Sequence, residues 1–311
     1  MAVRQLMHSL QGSSLGLILL LFVLMLGNWG IEAYKWQLVI RPLHPLPWTA
    51  ACKAILAGNA LAFFTPNRIG EYMGRILFLP ASDSLQAISL TIVASLSQNL
   101  ITFFWGIWGW IVLRTRIQQQ WTTGAYAEVW TGLFLAVVAA VFLLLLLVYF
   151  RIPSIVNGLL RFPRLGRLRQ LLQVLAGCSR RLLLQLLLLS GFRYLIFFMQ
   201  YFICFRLFQV MLQPDEAFWS LSVIFLLMAI IPTVAAFTDL GFRGKISLDI
   251  LQLFNNNILG ILGSSLAIWM INLVLPAIGG SLLLLNSGWK KQIMGNRHQQ
   301  ALVKQSGSDN T

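Results

Sequence analysis

Few residues in this chain could do chemistry, and they fall in two places. The first is Phe63-Phe64-Thr65-Pro66-Asn67-Arg68-Ile69-Gly70-Glu71-Tyr72-Met73-Gly74-Arg75. Thr65 followed by Pro66 has the pattern of an N-cap with proline at the first helical position. A helix from Pro66 puts Arg68, Glu71 and Arg75 at i, i+3 and i+7, on one face. Glu71 then holds the guanidinium groups, and an arginine so held can grip an oxyanion through two parallel hydrogen bonds. The helix N-terminus directs free N–H groups the same way. The chemistry is phosphate binding. A plainer reading is an interfacial ion-pair trio that ends a span, with Gly58, Gly70 and Gly74 as close-packing positions.

The second place is Ile231-Pro232-Thr233-Val234-Ala235-Ala236-Phe237-Thr238-Asp239-Leu240-Gly241-Phe242-Arg243-Gly244-Lys245. Pro232 and Gly241 mark a break, and Thr238 or Asp239 can cap a helix that continues through Asp249. Asp239 and Arg243 repeat the pairing of an acid with a cation. Segments 62–68 and 236–243 are weakly alike. Interrupted apolar segments at matching places in two halves point to a repeat-built transporter with its site between them. The alternative is an ordinary cytoplasmic loop.

Other chemistry is absent from the pattern. There is no GxSxG, HExxH, P-loop or GxGxxG after a strand. Of the nine carboxylates, only Glu71, Asp239 and Asp249 lie near apolar surroundings. Cys52, Cys178 and Cys204 share no CxxC spacing, and Cys52 and Cys204 read as inert core thiols. His8, His44 and His298 are scattered, so no metal site or cofactor is expected. Asn59, Gln98, Asn99, Gln200 and Asn272 read chiefly as interhelical glue.

The elements that must position these residues follow from composition. The chain is 58% apolar and 10% charged, against about 25% charged in a soluble domain. Its mean hydropathy is +0.77. No soluble core can hide that much apolar surface, so the expected class is an all-α polytopic membrane bundle. A helical span needs roughly 20 apolar residues. Runs at 13–31, 86–113, 129–150, 182–208 and 258–286 qualify, and those at 49–65 and 217–237 end in polar sequence. The expectation is six to eight transmembrane segments, with broken or re-entrant helices near 49–80 and 217–250. A β-barrel is excluded by Leu-rich runs without alternation. The first run lacks a small-residue cleavage site and reads as a retained span.

The net charge of +14 needs placing. In a chain this apolar it marks cytoplasmic loops and anionic lipid contacts rather than nucleic acid. Linker 151–181 holds Arg151, Arg161, Arg164, Arg167, Arg169, Arg180 and Arg181, and no acid occurs from 129 to 214. Both the linker and the tail, with Lys290, Lys291, Arg297 and Lys304, are expected in the cytoplasm. Seven full crossings cannot satisfy both. The conflict disappears if 217–257 enters and leaves on one side, or if the run around Pro276 splits. Residues 1–287 are expected to form one transmembrane domain and 288–311 a polar, disordered tail.

The stretch Ala54 to Glu71, with Pro66-Asn67-Arg68-Ile69-Gly70-Glu71 at its end, resembles the lysylphosphatidylglycerol synthase transmembrane-region family. These are flippase-like proteins in which a P-x-R-x-G-E segment follows the second span. Asp239-Leu240-Gly241-Phe242-Arg243 looks like the family's second signature. The resemblance covers roughly 10–290. It implies a multi-pass cytoplasmic-membrane protein whose best-understood relatives move a lipid between leaflets. A separate soluble domain transfers the amino acid in full synthases. About 25 residues follow the last apolar run, so neither that domain nor its synthase activity is expected in this sequence.

Three functions follow as expectations. The first is a lipid flippase or transporter, with Arg68, Glu71, Arg75, Asp239 and Arg243 binding the head group of an anionic phospholipid or lipid-linked intermediate. The second is a membrane-embedded accessory protein or enzyme of envelope lipid or polyisoprenoid-glycan metabolism, working with a separate envelope enzyme. The third is a structural scaffold.

Overall fold

The computed structural model describes residues 13–121, 127–161, 168–232 and 236–286, and these are helical with no strand among them. The expected tail at 288–311, linker residues 162–167 (with Arg164 and Arg167) and residues 233–235 lie outside the described residues. Helix α1 spans Ser13–Ile40, α2 Trp48–Phe63, α3 Gly70–Ile76, α4 Ser84–Trp121 and α5 Ala127–Leu159. They are followed by α6 Leu168–Ala176, α7 Arg180–Leu207, α8 Pro214–Ile230, α9 Ala236–Leu251, α10 Ile258–Trp269 and α11 Leu275–Asn286. Helices suit this sequence because every backbone group must be satisfied inside the segment when water is excluded.

Among the described residues five helices are long and apolar enough to cross a membrane: 15–40, 84–119, 128–159, 180–207 and 258–286. The protein is a polytopic helical membrane bundle. The first span extends nine residues past its apolar run. Its polar end is not a boundary, because Glu32 and Lys35 are buried inside the bundle at 9% and 1% exposure. The last span does not split at Pro276. A π-helical turn at Met270–Val274 joins α10 to α11. Proline lacks the N–H that would bond the carbonyl of Asn272, and a π-bulge absorbs such a mismatch without a break.

The two shorter apolar runs form helical hairpins. In the first, α2 and α3 run back to back. A side-chain carbon on Gly74 would stand 2.5 Å from the Ala57 carbonyl oxygen, and one on Gly70 would stand 2.3 Å from that of Leu61. Only glycine permits this approach. Both ends of the hairpin lie on one side, since His44 before α2 pairs with Asp83 after α3 at 3.6 Å. In the second hairpin, α8 packs on α9. Asn257 Nδ2 after α9 donates to the carbonyls of Phe208 and Gln209 before α8, both at 3.1 Å. Asn255 Nδ2 donates to the Met211 carbonyl at 3.0 Å. This hairpin also enters and leaves on one side, which resolves the crossing conflict.

The chain path puts the hairpins on opposite sides. The α1–α2 loop, the α3–α4 loop and the α5–α7 region share one end of the bundle. The α4–α5, α7–α8 and α9–α10 connections share the other. The apolar core divides accordingly. One cluster holds Trp36, Ile40, Ile55, Tyr149, Cys178 and Leu183, and another holds Ile117, Phe205, Val210, Ile250 and Leu251. Between them lies a polar layer.

Candidate functional site

The polar layer begins with side chains near the midpoints of three spans: Asn28 and Glu32 in α1, Arg193 in α7, and Asn272 in the π-helical turn. At 1.5 Å per residue the midpoint of a 28-residue helix is roughly 20 Å from either end, which is the depth of a bilayer centre. The two hairpins bring Arg68, Glu71 and Arg75, and Asp239 and Arg243, to the same layer. These elements enclose a cavity of about 110 Å³ lined by Asn28, Glu32, Asn59, Arg68, Glu71, Arg75, Arg193, Asp239, Arg243 and Asn272, with apolar walls from Trp29, Phe197, Trp269 and Leu273. A cavity of this size has room for a phosphate-sized group.

All five candidate head-group residues line this one cavity. They are tied into a network. Arg75 Nη2 donates to Glu32 at 2.7 Å and also to Glu71. Arg68 Nε lies 3.4 Å from Glu71, and Arg68 Nη2 donates to Asn59 Oδ1 at 3.2 Å. Arg193 Nη1 donates to Glu32, and its Nε donates to Asn28 Oδ1 at 2.9 Å. Arg243 donates to Asp239 Oδ2 at 3.2 Å and to the Tyr201 hydroxyl at 3.1 Å. Asn272 links the layer to Gln200 at 3.1 Å and accepts from Asn28 at 3.3 Å. Behind Glu32, the buried Lys35 donates to Ser190 Oγ at 2.8 Å and to the Ala94 carbonyl at 3.3 Å.

Two features of the first hairpin differ from the sequence expectation. The helix does not run from Pro66. A single 3₁₀ turn covers Pro66–Arg68, and Asn67 and Arg68 are left-handed at φ 48° and 57°. The turn reverses the chain, so Arg68 reaches Glu71 from outside the helix while Glu71 and Arg75 remain at i, i+4 within α3. Left-handed non-glycine residues each cost of order 1 kcal/mol or more. Thr65 opposes that cost: its hydroxyl accepts from the Gly70 N–H at 2.7 Å and donates to the Leu61 carbonyl at 3.0 Å. The amides of Arg68 and Ile69, expected at the free end of that helix, bond the carbonyls of Thr65 and Pro66 at 3.3 and 3.2 Å, and a helix as short as α3 offers no N-terminal anion site.

The second hairpin also differs in detail. Thr238 and Asp239 lie inside α9, which starts at Ala236, so neither is a cap. Gly241 is mid-helix with nothing within 4 Å of an added side-chain carbon, so it is neither a break nor a packing position. Pro232 follows the end of α8 at Ile230. Asp249 pairs with Lys245, whose side chain is mostly exposed, away from the cavity. Asn59 and Asn272 belong to the cavity rather than serving only as glue, and Asn99 is exposed.

The decisive observation is that residues of both hairpins, Arg68, Glu71 and Arg75 with Asp239 and Arg243, line one cation-rich cavity. The sequence profile described as the lysylphosphatidylglycerol synthase TM region matches residues 1–238. The chain belongs to that family. The family is one of membrane proteins of lipid metabolism or transport. No curated protein matches the chain. The family match ends at residue 238, one position before Asp239. The contribution of Asp239, Arg243 and Asn272 therefore rests on the structure.

Sequence reasoning missed Glu32, Lys35, Arg193 and Asn28. Arg193 carried a usable signal, being the one cation between Arg181 and Arg206 in an otherwise apolar run. An ionisable residue at that depth is costly and rarely idle. Glu32 and Lys35 carried less, because they stand just past the apolar run 13–31.

Proposed function

We propose that this protein binds the phosphate of an anionic lipid in the mid-membrane cavity and moves that lipid between leaflets. The observation that carries this reading is the charge balance of the cavity. Arg68, Arg75, Arg193 and Arg243 face Glu32, Glu71 and Asp239, an excess of one cation, and Lys35 behind Glu32 makes it two. Uncompensated charge at membrane depth is expensive, and a lipid phosphate supplies the missing anion. Arg75 is 1% exposed, yet its Nε and Nη1 have no partner among the described residues, and nor has Nε of Arg243. Buried donors of this kind suit a charged acceptor.

Hairpins entering from opposite sides suit a site reached alternately from each leaflet. The positive-inside rule supports assigning the end with Arg41, Arg151, Arg161, Arg180 and Arg181 to the cytoplasm, in the cell membrane. The last span returns to that same end at Asn286.

The test is lipid translocation in proteoliposomes holding fluorescent phosphatidylglycerol, with phosphatidylcholine as the neutral-head-group control. Arg68→Ala and Glu71→Gln should each reduce phosphatidylglycerol movement at least about tenfold, the effect of losing one charged hydrogen bond. Normal transport in both folded variants would overturn the site.

A further inference from the structure

A second cationic place lies outside the cavity network. Arg151 in α5 and Arg180 at the start of α7 line one groove with Ser154, above a floor of Leu146, Leu147 and Phe150. The groove is on the bundle surface at the basic end, and it shares no residue with the central cavity. Neither arginine makes an ion pair among the described residues. No acid occurs anywhere from 129 to 214, so nothing in these helices compensates the pair. Two guanidinium groups on one groove repel each other unless an anion bridges them.

The order of the lining residues along α5 gives the groove its character. Leu146, Leu147 and Phe150 sit toward the middle of the span, on its outer surface at Leu147, and Arg151 and Ser154 sit toward its end. Apolar contact is thus offered at acyl-chain depth and three donors at head-group depth. Arginine fits a phosphate with two parallel hydrogen bonds, and a hydroxyl can donate to a remaining oxygen.

We infer that this groove is a surface binding site for an anionic phospholipid, with the phosphate held by Arg151, Ser154 and Arg180 and an acyl chain laid on Leu146, Leu147 and Phe150. The site is independent of lipid movement through the cavity. Phosphatidylcholine carries the same phosphate together with a trimethylammonium cation that the two arginines repel, so the groove favours a head group of net negative charge.

Native mass spectrometry of the purified full chain, titrated with phosphatidylglycerol or phosphatidylcholine, tests this. Each basic residue near a surface contributes about 1 kcal/mol toward anionic lipid, so the double variant Arg151→Gln/Arg180→Gln should weaken the tightest phosphatidylglycerol binding step about 30-fold. Phosphatidylcholine binding should weaken far less, because its ammonium already offsets the phosphate charge. Arg151→Lys/Arg180→Lys should retain part of the phosphatidylglycerol preference, because the charge remains and the fork geometry is lost. Both side chains are exposed, so the substitutions leave the packing alone. An unchanged phosphatidylglycerol titration in the glutamine variant overturns the site, as does equal loss of both lipids. Glu71→Gln provides the separation from the cavity: if it alone removes the 30-fold step, the lipid measured is in the cavity and the groove proposal fails.

Discussion

The Glu32 carboxylate of α1 accepts a hydrogen bond at 2.7 Å from Nη2 of Arg75, 43 residues away at the base of the first hairpin. Arg75 is 1% exposed and Glu32 is 9% exposed. The pair fastens a re-entrant element to a full span at membrane depth. Its other oxygen accepts from Arg193 of α7, so one carboxylate ties three elements together.

Removing that carboxylate should be severe. Glu32→Gln leaves two buried guanidinium groups without their shared acceptor, and breaking a buried pair costs about 3–5 kcal/mol. Thermal unfolding in detergent should show a clear drop in Tm. An unchanged Tm would show that Glu32 is not the tie.

Arginine at 193 should not be replaceable by lysine. Its Nε donates to Asn28 and its Nη1 to Glu32, a fork that a single ammonium cannot reproduce. Arg193→Lys keeps the charge and should still lower phosphatidylglycerol translocation roughly tenfold, through loss of a charge-assisted bond. Transport equal to the parent would mean that only charge matters at this position.

The glycines of the two hairpins should respond oppositely. Gly74→Ala places a carbon 2.5 Å from the Ala57 carbonyl and Gly58, which should cost about 1–3 kcal/mol by overpacking. Gly241→Ala meets nothing within 4 Å and removes a flexible residue from a helix interior, so it should be neutral or stabilising by about 0.5–1 kcal/mol. The two Tm shifts, measured side by side, check this. A shared sign would contradict the packing described.

The opposed hairpins make a labelling prediction. Single cysteines at Ser82 and Arg161 should react with an impermeant maleimide from one side of the membrane. Those at Gln213 and Asn256 should react from the other. The native Cys178 adds little background, since burial pushes its thiol up to about 11. Labelling of Ser82 and Gln213 positions from the same side would refute the topology.

Much of the scaffold was legible in the sequence. Runs of 20 or more apolar residues leave a chain few alternatives in a membrane, so the five long spans lie where hydropathy puts them. The hairpins were legible as places where an apolar run was too short and ended in Pro, Gly and charge. Their exact geometry was not. The left-handed turn at Asn67 and Arg68 depends on Gly70 lying against Leu61, a contact that no local propensity encodes.

The site was half legible. Arg68, Glu71, Arg75, Asp239 and Arg243 stood out because charge beside a break in an apolar run is unusual. Glu32, Arg193 and Asn28 did not stand out, since their partners come from other helices far along the chain. Gly241 and the expected caps at Thr238 and Asp239 misled, because local residue patterns were read without the neighbour that would give them a role.

The sequence by itself determined the class of the protein and the number and place of its long helices. Those properties follow from composition and spacing along one dimension. Only the tertiary structure decided that hairpins from opposite ends bring Arg68 and Arg243 to one cavity, and that Glu32, 36 residues before one of them, is the counter-charge that joins the layer. Buried charge is tolerated at that depth only when partners from several helices converge, and convergence is a property of packing.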